Sequence, residues 1–97
     1  MSRVEFHPLA EEELTATAVF YESRAQGLGL DFLTEAERLG DQLAQFPELG
    51  AVLRGSVRRL SLRRFPYSLL YRVDPERIYI LAVMHHRRRP GCWTNRA

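Results

Sequence analysis

The pattern of apolar and polar positions divides the chain into a helical first part and an extended second part. Apolar residues recur at intervals of four and three in two stretches separated by Gly27-Leu28-Gly29, which predicts an antiparallel helical hairpin. His7-Pro8 marks the start of the first helix, of about 17 residues, and Pro47 ends the second. The stripes consist of Leu14, Ala18, Tyr21 and Ala25 on the first helix, and of Phe32, Ala36, Leu39, Leu43 and Phe46 on the second.

After Pro47 the periodicity changes from helical to extended. We expect a loop from Pro47 to Gly55, then three antiparallel strands, the last two joined by a type I turn at Asp74-Pro75-Glu76-Arg77. With a short strand at Arg3 to Phe6, this order predicts an α+β fold, β-α-α-β-β-β. In that fold the helical hairpin packs on a mostly antiparallel sheet of about four strands. The three later strands are expected at Val57 to Phe65, Tyr67 to Val73 and Arg77 to His86.

The turn at Pro75 predicts the register of the last two strands and therefore their two faces. Val73 should lie opposite Ile78, Tyr71 opposite Ile80, and Leu69 opposite Ala82. One face would then be apolar enough to receive the helices, and the other would be mixed. The first comprises Leu69, Tyr71, Val73, Ile78, Ile80, Ala82 and Met84, and the second Ser68, Leu70, Arg72, Tyr79, Leu81, Val83 and His85.

Length and composition limit the kind of protein. The 97 residues, 45% of them hydrophobic, suit one small domain over residues 1–97. The longest strongly apolar run, Tyr79 to Met84, is far short of a membrane span, and the amino terminus has no apolar segment of signal-peptide length. The single cysteine, Cys92, excludes an internal disulfide and a cysteine metal cluster. We therefore expect a soluble cytoplasmic protein without metal or cofactor.

The net charge of +2 conceals an uneven distribution. The first fifty residues carry ten acids and three arginines, whereas the remainder carries eleven arginines and two acids, so the formal charges are −7 and +9. Every cation is arginine, whose planar fork holds phosphate or carboxylate in two hydrogen bonds. The basic part suggests nucleic acid or an acidic protein as a partner, although many of these arginines could equally be solvated surface.

The order of elements, together with three sequence features, resembles the RelE/ParE family of bacterial toxins. The features are Arg59, the stretch Phe65-Pro66-Tyr67-Ser68-Leu69-Leu70-Tyr71-Arg72-Val73, and the ending Ile80-Leu81-Ala82-Val83-Met84-His85-His86-Arg87-Arg88-Arg89-Pro90-Gly91-Cys92-Trp93. The resemblance covers almost the whole chain. It implies the toxin of a type II toxin-antitoxin pair, associated with growth inhibition and plasmid stabilisation, and neutralised by a small antitoxin whose flexible segment wraps it. Some members cut messenger RNA in the ribosome, and others poison DNA gyrase.

RNA cleavage by a ribose 2′-hydroxyl needs a base, an acid, and cations that stabilise charge on phosphorus. In the ribosome-dependent members these are a basic pair, a strand arginine, a later arginine, and a tyrosine or histidine. The resemblance places Arg59 with Ser61, then Ser68, Arg87 and Trp93 at those positions. Serine carries no charge, and an indole N–H neither accepts nor readily gives up a proton, so the pattern counts against RNA cleavage. A substitute catalytic set would be Arg59, Arg72, His85, His86 and Arg87.

The sequence therefore slightly favours a toxin that acts by binding DNA gyrase. The alternatives are a metal-independent, ribosome-dependent mRNA endoribonuclease and a domain that retains only antitoxin binding. We expect an antitoxin segment to bring acidic and apolar residues onto the sheet face bearing Arg59, Arg72 and His85. The strand-end histidines could instead serve packing or capping, and Trp93 could cover an edge of the core. Residues expected to bind antitoxin or target are Arg59, Arg63, Arg72, Tyr79, His85, Arg87 and Trp93.

Overall fold

The computed structural model describes residues 3–88, 91 and 93–96, and places two helices on one face of a five-stranded sheet. The strand order is β1-β5-β4-β3-β2, with β1 parallel to β5 and the other neighbours antiparallel. This architecture confirms the predicted α+β fold. The elements are β1 (Arg3–Phe6), α1 (Pro8–Arg24), α2 (Leu28–Gln45), β2 (Ala51–Arg54), β3 (Val57–Ser61), β4 (Tyr67–Val73) and β5 (Arg77–His85).

Polar contacts fix the start of the helical hairpin and the turn between its two helices. At the start of α1, the His7 ring nitrogen Nδ1 accepts the Leu9 backbone N–H at 3.0 Å and so caps the helix. Between the helices, the Glu22 carboxylate accepts the backbone N–H groups of Gly27 at 2.9 Å and Gly29 at 3.0 Å. Gly27 has φ +85°, a left-handed conformation that glycine adopts without steric cost. Glu22 therefore holds the turn that makes α1 and α2 antiparallel.

The predicted loop from Pro47 to Gly55 is wrong, because it contains β2. This strand pairs with β3 through the two-residue connection Gly55-Ser56, in which Gly55 has φ +55°. The chain entering β2 is fixed by the Tyr71 hydroxyl, which donates to the Pro47 carbonyl and accepts the Gly50 N–H, each at 2.8 Å. The sheet consequently has five strands rather than about four.

The register of β4 and β5 agrees with the prediction near the turn and changes at Leu81. Tyr71 lies opposite Ile80, as predicted, but Leu70 lies opposite Ala82. Leu81 is therefore an extra residue in β5, which is the definition of a β-bulge. Leu69, expected opposite Ala82, lies opposite Val83.

The bulge exchanges the two faces of β5 beyond Leu81. Val83 packs in the cluster beneath the helices, whereas Ala82 and Met84 pack on the opposite, outer face of the sheet. The predicted faces are therefore wrong from this point on, because one inserted residue reverses the alternation of a strand. The buried outer-face cluster consists of Val57, Leu70, Tyr79, Leu81, Ala82, Met84 and Trp93.

The helices bury most of their predicted stripes against the other side of the sheet. Phe32, Leu43 and Tyr71 are fully buried there. Phe46 lies just past the end of α2 and is 62% exposed, so it does not extend the buried stripe as predicted. Within the described ranges, neither helix combines the length and apolar character needed to cross a membrane.

Candidate binding site on the outer face of the sheet

A cavity of about 270 Å³ opens on the outer face, between the β2–β3 hairpin and the segment that follows β5. Three arginines and one histidine surround an apolar floor, and no acid is among the described lining residues. The polar lining is Arg54, Arg59, His86 and Arg88, and the apolar lining is Leu53, Met84 and Trp93. We call this the arginine cavity.

A row of side-chain hydrogen bonds lies beside the arginine cavity. The hydroxyl oxygens of Ser61 and Ser68 are 2.9 Å apart, and the Ser68 hydroxyl is 2.9 Å from His86 Nε2. Ser68 is fully buried, while the backbone N–H of His86 donates to the Pro66 carbonyl at 2.9 Å. The two serines therefore use their hydroxyls on each other and on the histidine. We call these three side chains the Ser–Ser–His row.

Arg72 lies at the other end of β4 and is held by an acid. Its Nε and Nη2 donate to the two carboxylate oxygens of Asp74 at 2.7 and 3.1 Å, and its guanidinium lies over the Tyr79 ring at 5.4 Å. Hydrogen bonds from Arg72, and then from Arg77, hold the pKa of Asp74 below its ordinary value despite partial desolvation. Arg72 therefore lies outside the arginine cavity and already has a bidentate partner.

The two adjacent histidines face opposite sides of the sheet. The His85 ring meets the Tyr67 ring edge-on at 5.0 Å on the helix side, and its Nδ1 accepts the Arg87 backbone N–H at 3.0 Å. The expected binding face bearing Arg59, Arg72 and His85 is thus divided, because the bulge at Leu81 turns His85 away. The Arg87 side chain is exposed. Of the five residues in the substitute catalytic set, the arginine cavity brings together Arg59 and His86.

The remaining predicted binding residues are dispersed. Arg63 follows β3, where its backbone N–H donates to the buried Glu35 carboxylate, and its side chain lines a separate groove against α2. Tyr79 is 9% exposed, with the Arg77 guanidinium 4.0 Å from its ring centroid. Trp93 is 7% exposed and lies with Arg59 in the arginine cavity. In the described part of the chain, no group of three or more histidine, cysteine or acidic side chains is arranged to hold a metal.

Glu13 of α1 secures the segment that carries Trp93. Its carboxylate accepts the Val83 backbone N–H at 3.1 Å, both terminal nitrogens of Arg96 at 2.8 and 2.9 Å, and Arg88 at 2.6 Å. Arg96 also donates to the Leu81 carbonyl at 3.1 Å. Burial raises the pKa of Glu13, but these hydrogen bonds together outweigh it and leave the pKa below its ordinary value. We call this arrangement the Glu13 clamp.

Ion pairs between acids of the first fifty residues and arginines of the remainder neutralise much of the basic charge. Within the described residues, four arginines after residue 50 have no side-chain carboxylate within 4.0 Å, and two of them line the arginine cavity. The pairs that cross between the parts are Glu5–Arg77, Glu13–Arg88, Glu13–Arg96, Asp31–Arg64 and Glu48–Arg58. The unpaired arginines are Arg54, Arg59, Arg63 and Arg87, of which Arg54 and Arg59 are the cavity pair.

Sequence reasoning missed several residues of this region. Arg54 and Leu53 lay in the segment interpreted as a loop, although Gly55-Ser56 between two short extended runs is a hairpin signal. Glu13 carries no sequence signal of its role, because no local pattern could pair it with arginines more than 70 positions away. The Cys92 thiol and the Arg89-Pro90 part of the motif lie outside the described residues.

The helical hairpin, the mostly antiparallel sheet and the order of elements place the chain in the class of RelE/ParE superfamily toxins. The family model described as "ParE toxin of type II toxin-antitoxin system, parDE" matches residues 4–90. The chain therefore belongs to the ParE toxin family and is the toxin of a type II toxin-antitoxin system, whose partner is an antitoxin.

A solved structure supports the same assignment. It is described as the chromosomal ParDE TA system from P. aeruginosa, and it superposes with a TM-score of 0.73 at 26% sequence identity. The match covers 88% of this chain and 96% of that chain. A search of curated proteins found no match.

Proposed function

We propose that this toxin inhibits bacterial growth by binding DNA gyrase in the cytoplasm, without chemistry of its own, until its antitoxin binds it. The observation that carries the proposal is the Ser–Ser–His row. Ser61 and Ser68 stand where the resemblance to ribosome-dependent cutters requires cations, and their hydroxyls are hydrogen-bonded to each other and to His86. Serine hydroxyls at these two positions offer no charge to a developing phosphorane.

The surrounding groups do not replace the missing chemistry. General acid–base cleavage needs two groups that exchange protons, one for the attacking hydroxyl and one for the leaving oxygen. His86 is the one histidine among the described lining residues of the arginine cavity, while His85 faces the helices and Arg72 is bound to Asp74. Arg59 and Arg88 supply positive charge without a second proton-transfer group, which favours binding over cleavage.

The antitoxin is expected to use the same face. Its acidic and apolar residues would meet Arg59 and the outer-face surface, so replacing Arg59 and Arg72 together with alanine should weaken the complex in a salt-sensitive manner. Since Asp74 already holds Arg72, Arg59 should account for most of the loss. The measurement is the dissociation constant of the complex over a salt series. An affinity that is unchanged at every salt concentration would remove this part of the proposal.

Two assays in parallel test the choice of target. Purified toxin is incubated with gyrase and supercoiled plasmid, and in a second arm transcript 5′ ends are mapped inside ribosomes after the toxin is expressed. We expect linear plasmid that depends on gyrase and disappears when the antitoxin is added first. Cleavage sites within ribosome-bound codons would instead establish the endoribonuclease. Normal growth with abundant soluble toxin would favour a domain that retains antitoxin binding alone.

A further inference from the structure

Arg54 and Arg59 stand out among the charges of the outer face because no acid in the described part of the chain neutralises them. Both side chains line the arginine cavity, and neither has a carboxylate within ion-pair distance among the described residues. Arg88, by contrast, is held by Glu13 at 2.6 Å. Arginines that converge on a cavity without an acid are suited to an oxyanion that each fork can hold in two hydrogen bonds.

The basic side chains of the cavity form a row rather than a point. Arg54 ends β2, Arg59 lies on β3, and His86 with Arg88 follows β5. Because β4 separates β3 from β5, the row crosses three strand spacings, or about 14 Å at the usual distance between strands. A single carboxylate would use one end of such a row, whereas a nucleic-acid strand repeats its charge along it.

The floor between these basic side chains is apolar. Leu53 is 40% exposed, and Met84 and Trp93 contribute smaller surfaces to the same cavity. A backbone phosphate is joined through its ester oxygens to sugars, whose carbon-rich faces can pack on such a surface. The combination of unpaired arginines and an adjoining apolar wall therefore fits a phosphate together with its sugar.

We propose that the arginine cavity is a DNA-backbone site, in which Arg54 and Arg59 hold one phosphate and Leu53 and Met84 contact the adjoining deoxyribose. The inference goes beyond the proposed function, since a gyrase poison acting through protein contacts alone needs no DNA contact of its own. It rests on that function only in taking DNA as the nucleic acid that the toxin meets.

The test measures binding of the whole toxin to a fluorescein-labelled 20-base-pair DNA duplex over a salt series. Arg54→Ala with Arg59→Ala should weaken binding about tenfold or more and flatten the slope of log affinity against log salt by about one, because both arginines hold the same phosphate. The matched control is Arg24→Ala with Arg38→Ala, which removes the same charge from exposed helical positions. The control should change affinity by less than about threefold. Equal losses in both double variants would overturn the proposal.

Two further readouts locate the site. Trp93 is the single tryptophan of the chain, so its emission should change when DNA fills the cavity; DNA binding with unchanged emission would place the site elsewhere. Leu53→Asp puts an acid on the cavity wall and should abolish binding, which provides a second variant if the double arginine variant does not fold. An acidic peptide and unlabelled DNA are also compared as competitors of the labelled duplex. If the peptide displaces the duplex at a lower concentration than the DNA does, the proposal is overturned in favour of a protein ligand.

The outcomes separate this inference from the proposed function. Toxin that linearises plasmid with gyrase but does not bind the duplex would overturn the DNA site alone. Toxin that binds the duplex through Arg54 and Arg59 but never yields linear plasmid would overturn gyrase poisoning alone. The toxin could also bind a matched single-stranded RNA as tightly as the duplex, with the arginine variants weakening that RNA complex. This result would overturn the assignment to DNA.

Discussion

Replacing Glu13 with alanine should destabilise the toxin by about 2 to 4 kcal/mol, because one carboxylate satisfies four donors in the Glu13 clamp. Removing one partner of a buried ion pair costs about 3 to 5 kcal/mol, and the Arg96 side chain is only 8% exposed. We take a lower range because the irregular segment around Arg96 can relax toward water. Arg88 is 43% exposed, so its pair adds at most about 1 kcal/mol.

Glu13→Gln separates charge from hydrogen bonding. The amide oxygen can still accept the Val83 N–H, so the loss should be smaller, about 1 to 2 kcal/mol. The pKa of Glu13 in the folded protein lies below its ordinary value. The stabilisation by its carboxylate is therefore complete above the pKa of this group in the unfolded chain, about 4.3. It is lost as the pH falls through the pKa of the folded state. Below about pH 4.3, wild-type stability should therefore fall more steeply than that of the glutamine variant.

Urea unfolding monitored by Trp93 fluorescence measures both effects, since the same clamp holds the segment that buries this residue. Glu12→Ala is the matched control, because Glu12 is the exposed neighbour on α1. The alanine variant of Glu13 should also shift native-state emission to the red, as Trp93 becomes more exposed. A stability loss below about 0.5 kcal/mol, equal to that expected of an ordinary surface substitution, would refute the clamp.

Two predictions concern the scaffold and are checked by the same unfolding assay. Tyr71→Phe should cost about 1 to 3 kcal/mol, because it leaves the buried Gly50 N–H and the Pro47 carbonyl without their partner; an unchanged midpoint would contradict this. Gly29→Ala should cost about 1 to 3 kcal/mol, because its Cβ would overlap the Ala18 backbone oxygen of α1. Gly40→Ala should instead stabilise the protein by up to about 1 kcal/mol, because its Cβ would meet its nearest neighbour only at 3.9 Å. Stability losses of equal size at Gly29 and Gly40 would refute the packing argument.

The helices were predictable because their apolar residues recur at intervals of three and four, with polar residues between them. The same signal is absent from β5, in which every residue from Ile78 to Met84 is buried. A strand buried on both faces has no polar positions that mark its faces, so a bulge at Leu81 leaves no trace in the pattern. Strand β2 was missed for a different reason, since all four of its residues are exposed and its short run Ala51-Val52-Leu53-Arg54 shows no alternation of apolar and polar positions.

The site was less predictable than the fold, because its geometry depends on that bulge and on contacts distant in sequence. Adjacent histidines must face opposite ways on a strand, but which one joins Arg59 depends on the register beyond Leu81. The sequence therefore predicted Arg59 and Trp93 as binding residues without showing that His86, rather than His85, lies beside them.

The uneven charge of the chain has a different meaning once the fold is known. Read along the sequence, eleven arginines after residue 50 suggested nucleic acid or an acidic protein as a partner. In the folded chain, acids from the first part lie against several of these arginines, as the Glu13 clamp and the Glu5–Arg77 pair show. Such pairing lowers the positive potential along β5, whereas Arg54 and Arg59 have no carboxylate within ion-pair distance among the described residues. Four arginines, two of them in the arginine cavity, thus remain unpaired within the described residues, a distribution that a count of charges alone could not reveal.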